Sequence, residues 1–300
     1  MASTVPVKDI NAVGATERND GWWIEPLLVF LGLGAFIVYA TWAAIQGEFY
    51  AMELPEEIVV PDGANAFEYV RPYLSPICSP DLPRWFPEAF GWYQLSPAFL
   101  ILPFPGLFRA TCYYYRKAYY RAFFTTPAAC SVGGQPMGIL AWLLNNPLGR
   151  WFTGKKPYTG ETVFPMAFQN LHRFTFYIAA LFMLILAYDA FQGFFGWQHV
   201  HYADGQSFHV GVGSLVILLN VIFLGLYTFS CHSWRHLLAG KLDCFSCSDF
   251  TKARYNAWKR QSFLNEHHML FAWVSLVWVG FTDLYIRLCA MGIWQDRILF

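Results

Sequence analysis

The sequence contains few charged residues for its length. Lys, Arg, Asp and Glu make up 13% of the 300 residues, whereas a soluble globular domain is nearer a quarter charged. The basic and acidic residues balance to a formal net charge of zero, which gives no indication of nucleic-acid binding. Seven cysteines are too few for a scaffold built on disulfides. Hydrophobic residues form 56% of the chain, so the apolar segments must carry most of the structural information.

The sequence shows neither a nucleotide-binding motif nor the pattern of a secretory signal. No G-x-G-x-x-G or G-x-x-x-x-G-K-[ST] pattern occurs, so we expect this chain itself to bind neither flavin nor nucleotide. The first 20 residues are polar and the first apolar run begins near Pro26, so we expect no secretory signal. Targeting is then expected to come from membrane-spanning helices.

Long apolar runs are the strongest feature of the sequence. A helix needs about 20 mostly apolar residues to cross a bilayer core. Four segments meet this requirement, namely 26–45, 174–195, 208–231 and 269–288. A fifth, 92–115, is interrupted by three prolines and Arg109, and such prolines are tolerated only where neighbours satisfy the freed backbone groups. We predict an all-α membrane protein, a single-domain bundle of five transmembrane helices over residues 1–300.

The distribution of Lys and Arg predicts the orientation of the helices. The connecting segments 116–173 and 232–268 hold seven and six of these residues, thirteen in total. The segment 47–91 holds only Arg71 and Arg84. Because Lys and Arg accumulate in cytoplasmic loops, we place the N-terminus and both basic loops in the cytoplasm and the 47–91 loop and the C-terminus outside. This arrangement requires a crossing at 92–115.

Cysteine and histidine side chains gather at the cytoplasmic ends of the predicted helices. The set comprises Cys112, Cys130, His172, Cys231, His232, His236, His267 and His268. Thiolate and imidazole suit zinc, copper, haem iron and iron–sulfur clusters, and two imidazoles on one iron of a 2Fe–2S centre describe the Rieske type. His232 and His236 are four residues apart and share a helix face. Each residue alone is more often a small buried side chain or a helix-end partner, so the prediction depends on their convergence.

Five sequence segments carry a resemblance to a known family. They are FRATCYYYRKAYYRAFF around Cys112, PAACSV around Cys130, KPYTGETVFP, QNLHRFTFYIAA around His172 and CHSWRH from Cys231. Together they resemble the cytochrome b-like membrane-anchor subunit of succinate dehydrogenase. More narrowly, they resemble the mycobacterial-type five-helix anchors, which lack haem and hold a membrane-embedded Rieske-type 2Fe–2S cluster. The resemblance runs from about Trp22 to Gly292 and covers all five predicted spans.

This resemblance implies a role in the respiratory chain and the tricarboxylic acid cycle. Such an anchor is a multi-pass protein of the bacterial plasma membrane that docks a flavoprotein and an iron–sulfur subunit on its cytoplasmic face. Electrons from succinate would pass through the anchor's own cluster to a quinone in the membrane lipid. The chain would then be a subunit of complex II, succinate:quinone oxidoreductase, and not its flavin-bearing catalytic subunit.

Within this resemblance we predict the residues that hold the cluster and the quinone. Cys112 and Cys130 are expected on one iron, with His232 and His236 on the other. The reserve ligands, any of which could replace these, are Cys231, His172 and His268. The quinone-binding candidates are Tyr113, Arg116, Arg121, Arg173 and Trp234.

Two alternatives stay open. A haem b-binding anchor of succinate dehydrogenase or fumarate reductase would use His172 with His232 or His268 as axial ligands. A membrane transporter or scaffold would carry these cysteines and histidines incidentally, although transport is favoured by broken helices in paired positions and only the second span is broken. The Cys244-x-x-Cys247 pair is typical of a zinc or redox site, and the sequence assigns it no role.

Overall fold

The computed structural model describes residues 21, 23–52, 73–82, 96–123, 168, 171–195, 208–239 and 242–299. Secondary structure within these ranges is helical, apart from the isolated β-bridges Ala51–Leu74 and Gly211–Ile298. The all-α class is therefore confirmed. By its contacts the chain divides into two units, one of residues 1–35 with 117–153 and one of residues 36–116 with 154–300. The single-domain organisation stays a prediction.

The long helices lie where the apolar runs predicted them. In chain order the helices are α1 (Ile24–Gln46), α2 (Ala98–Ile101), α3 (Pro103–Thr111), α4 (Tyr113–Phe123), α5 (His172–Phe195), α6 (Val212–Phe229), α7 (His232–Ala239), α8 (Asp249–Glu266) and α9 (His268–Ala290). Among the described residues, α1, α5, α6 and α9 are long and apolar enough to cross a membrane. The interrupted span contains a shorter apolar stretch, Ala98–Thr111. The fifth crossing and the orientation stay predictions.

Two prolines shape this shorter stretch. Pro103 and Pro105 have no backbone N–H, so the carbonyls one turn before them lose a helical partner. The helical path nevertheless continues, since Leu102 N donates to Ala98 O (2.8 Å) and Gly106 N donates to Leu102 O (2.9 Å). α3 ends where Cys112 takes an extended backbone, with φ −62° and ψ 132°. Cys112 therefore lies at the corner between α3 and α4.

Three long helices form the centre of the second unit. α6 packs against both α5 and α9, and α5 also packs against α3. Trp278 on α9 donates its indole N–H to the carbonyl of Val216 on α6 (3.0 Å). Large apolar side chains on the other faces are exposed, as Leu184 (70%) and Val277 (66%) show. Such exposed apolar faces are expected where lipid covers the helices.

Residues 73–82, part of the predicted outer loop, pack against the C-terminal ends of α5 and α9. Tyr73 and Ile77 are fully buried there. Ser75 donates a hydrogen bond to Asp283 on α9, and Ser79 donates one to Asp189 on α5. Each carboxylate at this depth therefore has a hydroxyl donor, which lowers the cost of burying it.

A buried ion pair joins α1 to α9 at the same end of the bundle. The side chains of Asp283 and Arg287 are 0% and 1% exposed, and Arg287 Nε lies 3.4 Å from Asp283 Oδ2. Arg287 Nη1 also donates to Gln46 Oε1 (2.9 Å) and to the carbonyl of Glu48 (3.0 Å). Because a charge at membrane depth is costly unless it is paired, this network fixes the end of α1 against α9.

At the opposite end of the bundle, α8 is fastened to the end of α6. The last carbonyls of a helix have no partner within the helix. Two of them are satisfied from α8, since the Gln261 side chain donates to Phe229 O and Asn265 Nδ2 donates to Ser230 O (2.9 Å). This contact holds the residues that follow α6 in place, Cys231 among them.

Candidate metal centre

Two thiols and two imidazoles meet where four helices begin or end. Cys112 follows α3, His172 begins α5, Cys231 follows α6 and His268 begins α9. His172 Nε2 lies 3.0 Å from Cys231 Sγ, and His268 Nε2 lies 3.4 Å from Cys112 Sγ. His268 is half-buried and the other three side chains are buried. The structure thus brings together one predicted ligand of first choice and all three reserve ligands.

The second ring nitrogen of each histidine faces a hydroxyl group. His172 Nδ1 lies 3.1 Å from Thr111 Oγ1, and His268 Nδ1 lies 2.6 Å from Ser230 Oγ. Each hydroxyl can donate its single proton to a backbone carbonyl of its own chain segment. Thr111 Oγ1 lies 2.7 Å from the carbonyl oxygen four residues earlier, and Ser230 Oγ lies 3.1 Å from the carbonyl oxygen three residues earlier. When the hydroxyl proton goes to that carbonyl, the hydroxyl oxygen accepts a hydrogen bond from Nδ1–H. In this tautomer the Nε2 lone pair of each imidazole faces sulfur.

Aromatic rings fix the planes of both imidazoles. Phe108 stacks on His172 with ring centroids 4.6 Å apart. Tyr227 stacks on His268 at 5.1 Å. The two aromatic rings meet edge to face at 5.4 Å. This packing restricts rotation of the imidazoles and keeps water away from their faces, as a preorganised site requires.

A half-buried cation, Arg109, lies beside these rings. Its guanidinium carbon is 4.6 Å from the ring centroid of Tyr227. It donates hydrogen bonds to Tyr115 OH (2.7 Å), the carbonyl of Ala272 (3.2 Å) and Ser275 Oγ (3.0 Å). In the sequence, Arg109 is recognised only as an interruption of the span 92–115. An ionisable residue in an apolar segment is itself a signal of function, and that signal was missed.

An apolar cavity of about 280 Å³ borders the site. Phe108, Arg109 and Tyr227 line it, and Pro76 and Ile77 of the loop segment 73–82 form another part of its wall. Its volume is near the lower end of the range for small-molecule sites. The cavity therefore offers space for a small apolar ring next to a cation.

His232 and His236, the predicted histidine ligands of first choice, contact each other on α7. Their Nε2 atoms are 3.0 Å apart, so they share one helix face as their spacing predicts. Both side chains are exposed. Partial burial, helped by the charges of His236 and Arg235, lowers the pKa of His232. Cys130, their predicted partner, lies outside the described residues.

The four side chains of the centre form two pairs. Each pair joins one thiol to one imidazole. In the part of the chain that the structure describes, no three Cys, His, Asp or Glu side chains are grouped to hold a single metal ion. Each thiol of the centre therefore has one imidazole as its neighbour.

Tyr113, Arg116, Arg173 and Trp234, four of the five predicted quinone-binding residues, lie at the same end of the bundle as the centre. The Arg116 guanidinium is over the ring of Tyr113, 5.5 Å from its centroid. Arg173 is over the ring of the next residue (4.8 Å), and Trp234 stacks on a phenylalanine of α5 (6.0 Å). The side chain of Arg121 lies outside the described part of the structure. Among these residues, Tyr113 and Arg116 therefore contact each other directly.

Cys244 and Cys247 form a disulfide with each other in the segment between α7 and α8, and their Cα atoms are 5.8 Å apart. Cys247 is exposed and Cys244 is half-buried. The structure places the pair outside the centre formed by the four helix ends.

Comparison with known proteins identifies relatives along almost the whole chain. The family described as actinobacterial succinate dehydrogenase subunit SdhC matches residues 24–292. The structure is similar to a chain of the Mycobacterium smegmatis Sdh1 complex in the apo form, with a TM-score of 0.67 and 36% sequence identity. The match covers 95% of this chain and 94% of that one. No curated protein matches the chain.

Proposed function

Because the chain belongs to the actinobacterial succinate dehydrogenase subunit SdhC family, we propose that it passes electrons to membrane quinone through a Rieske-type 2Fe–2S cluster. The chain is a membrane anchor within an enzyme complex and is not itself the catalytic subunit. Its apolar helices and its family make it a multi-pass bacterial membrane protein. The proposed ligands are Cys112, His172, Cys231 and His268.

The observation that carries this ligand set is that Nε2 of each imidazole lies beside a thiol. Metal-ligating histidines usually donate their other ring N–H to a hydrogen-bond partner, which fixes the tautomer. Thr111 and Ser230 fill that role. Two cysteines and two histidines are also the ligand types of a Rieske-type centre. The set with Cys130, His232 and His236 remains the alternative.

The residues around the site prepare it for such a cluster. When bound, the cluster supplies one-electron transfer at a potential that its imidazole ligands raise above that of all-thiolate clusters. Cys112 and Cys231 would lose their protons as they bind metal. Phe108 and Tyr227 hold the imidazole planes and exclude water.

Quinone is proposed to bind at the same end of the bundle, near Tyr113, Arg116, Arg121, Arg173 and Trp234. Of these residues, Tyr113, Arg116, Arg173 and Trp234 do not line the apolar cavity, which lies beside Arg109. A quinone has a polar ring and an apolar tail, which suits an apolar space that borders a cation. We propose the cavity as the place where the ring approaches the centre.

The flavoprotein and iron–sulfur subunits are proposed to dock over α8, on the cytoplasmic side. Phe250 and Phe263 on this helix are 72% and 63% exposed. Lys252 and Lys259 lie on the same helix. Exposed aromatic side chains among charged ones are typical of a protein interface.

The haem alternative is less well supported by the geometry. Two axial ligands must direct their nitrogens at one iron. A haem held by His172 and His268 would leave the two thiols beside these imidazoles without a ligand role. A visible spectrum of the purified complex separates the two cofactors.

The proposed function is tested by separating succinate oxidation from quinone reduction in the complete complex. We expect His172→Ala and Cys231→Ser to keep succinate oxidation with an artificial acceptor within about twofold, because the other subunits are intact. Quinone reduction should fall at least about 100-fold, since an anchor ligand is lost. A large loss in His236→Ala with little loss in His172→Ala would contradict our ligand set and restore the one predicted from sequence.

A further inference from the structure

Arg109 borders the apolar cavity and also lies over the Tyr227 ring, which stacks on His268. We propose that its guanidinium is the counter-charge of the reduced metal centre and raises the reduction potential of the bound cluster. This inference rests on the proposed function. It assigns Arg109 a positioning and electrostatic role in that function.

The hydrogen-bond acceptors of Arg109 are all neutral. They are the Tyr115 hydroxyl, the Ala272 carbonyl and the Ser275 hydroxyl. Among the described residues, no carboxylate pairs with Arg109, in contrast to Arg287 and its partner Asp283. A charge in an apolar segment is costly unless another charge or a polar ligand compensates it. The three hydrogen bonds compensate part of this cost, and a negative charge nearby would compensate more of it.

The reduced metal centre would supply such a charge, because a 2Fe–2S cluster held by two thiolates and two neutral imidazoles is neutral when oxidised and carries one negative charge when reduced. Cysteine binds metal as thiolate, and Cys112 lies one turn beyond Arg109, with its backbone N–H donating to the Arg109 carbonyl (3.2 Å). On the other side, the guanidinium lies over the Tyr227 ring, which in turn stacks on His268. Arg109 therefore lies close to this thiol–imidazole pair, one turn from Cys112 along the chain and separated from His268 by the Tyr227 ring.

Hydrogen bonds hold the guanidinium between α3 and α9. Arg109 belongs to α3, whereas Ala272 and Ser275 follow His268 on α9 by one and two turns. The bonds to Ala272 O and Ser275 Oγ therefore tie the cation to the helix that begins with a proposed ligand. A charge fixed in this way cannot turn toward solvent, so its effect on the centre is constant.

One-electron reduction adds one negative charge to the centre and breaks no bond. A positive charge held nearby, in apolar surroundings that screen it little, favours the state with the additional negative charge. Arg109 thus makes the centre a better electron acceptor. In its absence the reduced state loses this stabilisation, and the reduction potential falls.

The test is a redox titration of the whole complex in membranes, followed by low-temperature EPR. In Arg109→Gln we expect the equilibrium constant for reduction to fall about tenfold, which is 59 mV for a one-electron couple. Arg109→Lys keeps the charge, and we expect a change of less than about threefold. Arg297→Gln removes an exposed charge away from the proposed site and from the docking helix α8, and is the matched control with the same expectation.

Ser275→Asp provides a second variant in case Arg109→Gln does not fold. This variant keeps Arg109 but places a carboxylate at the position of the Ser275 hydroxyl, which accepts a hydrogen bond from the guanidinium. Because the carboxylate neutralises the Arg109 charge, the reduction potential should again fall. An unchanged potential in Arg109→Gln or Ser275→Asp, with the EPR signal intact, overturns the inference and leaves the proposed function standing. A raised KM for quinone without a change of potential would assign Arg109 to quinone instead and also overturns it. No cluster signal in the unsubstituted complex overturns both.

Discussion

Ser230 connects the end of α6 to the first residue of α9, because its Oγ lies 2.6 Å from His268 Nδ1. Thr111 makes the equivalent contact to His172 Nδ1 at 3.1 Å. Each hydroxyl belongs to the residue directly before a cysteine of the centre, Cys231 and Cys112 respectively. In both Thr111–Cys112 and Ser230–Cys231, the cysteine supplies a thiol of the centre and the residue before it supplies the hydroxyl that contacts an imidazole.

Removal of either hydroxyl should weaken metal binding without removing a ligand. For Ser230→Ala and Thr111→Val we expect metal affinity to fall about 10- to 100-fold, because loss of such an orienting partner typically costs that much. Iron and acid-labile sulfide per purified complex measure the effect. Ser262→Ala is the control, since its hydroxyl donates only to a carbonyl within α8. Equal iron content in all variants would show that the hydroxyls do not orient ligands.

The Asp283–Arg287 pair should contribute to stability as a unit. Asp283→Ala leaves the Arg287 charge buried without its carboxylate, and we expect a loss of about 3–5 kcal/mol in the free energy of unfolding. Removing both charges in Asp283→Ala with Arg287→Leu should recover part of that loss. Chemical or thermal unfolding of the purified complex in detergent, with both single variants, gives the coupling energy. Additive losses would show that the two charges act independently.

Tyr73 should make stability depend on alkaline pH. Burial, together with the charge of Asp296, raises the pKa of Tyr73 above its usual value. The unfolded chain therefore releases this proton near the usual pKa of about 10 while the folded chain keeps it, so stability falls as pH rises beyond that value. In thermal unfolding between pH 8 and 11, the free energy of unfolding of the wild type should decrease relative to that of Tyr73→Phe. A constant difference would contradict this account.

The membrane helices were predictable because an apolar run of sufficient length has few alternatives to a membrane helix. The predicted spans 174–195 and 269–288 correspond to the helices His172–Phe195 and His268–Ala290. The interrupted span was harder, since prolines leave the path of the backbone undetermined by sequence. Its described part is the shorter stretch Ala98–Thr111.

The pairing of ligands could not be predicted from sequence spacing. A spacing of four places His232 and His236 on one helix face, and their rings do meet. Spacing contains no information on which helix ends converge, so His172 and Cys231, 59 residues apart, could be ranked only as reserves. Arg109 could have been recognised, because a charge among apolar residues is visible in the sequence.

The most direct test of our account is low-temperature EPR of the reduced complex, comparing His172→Ala with His232→Ala. We predict that the unsubstituted complex gives a 2Fe–2S signal of the two-imidazole type. The signal should be lost in His172→Ala and kept in His232→Ala, whose side chain is exposed and paired with His236. Absence of this signal from the unsubstituted complex, or its persistence in His172→Ala, would contradict the proposed centre.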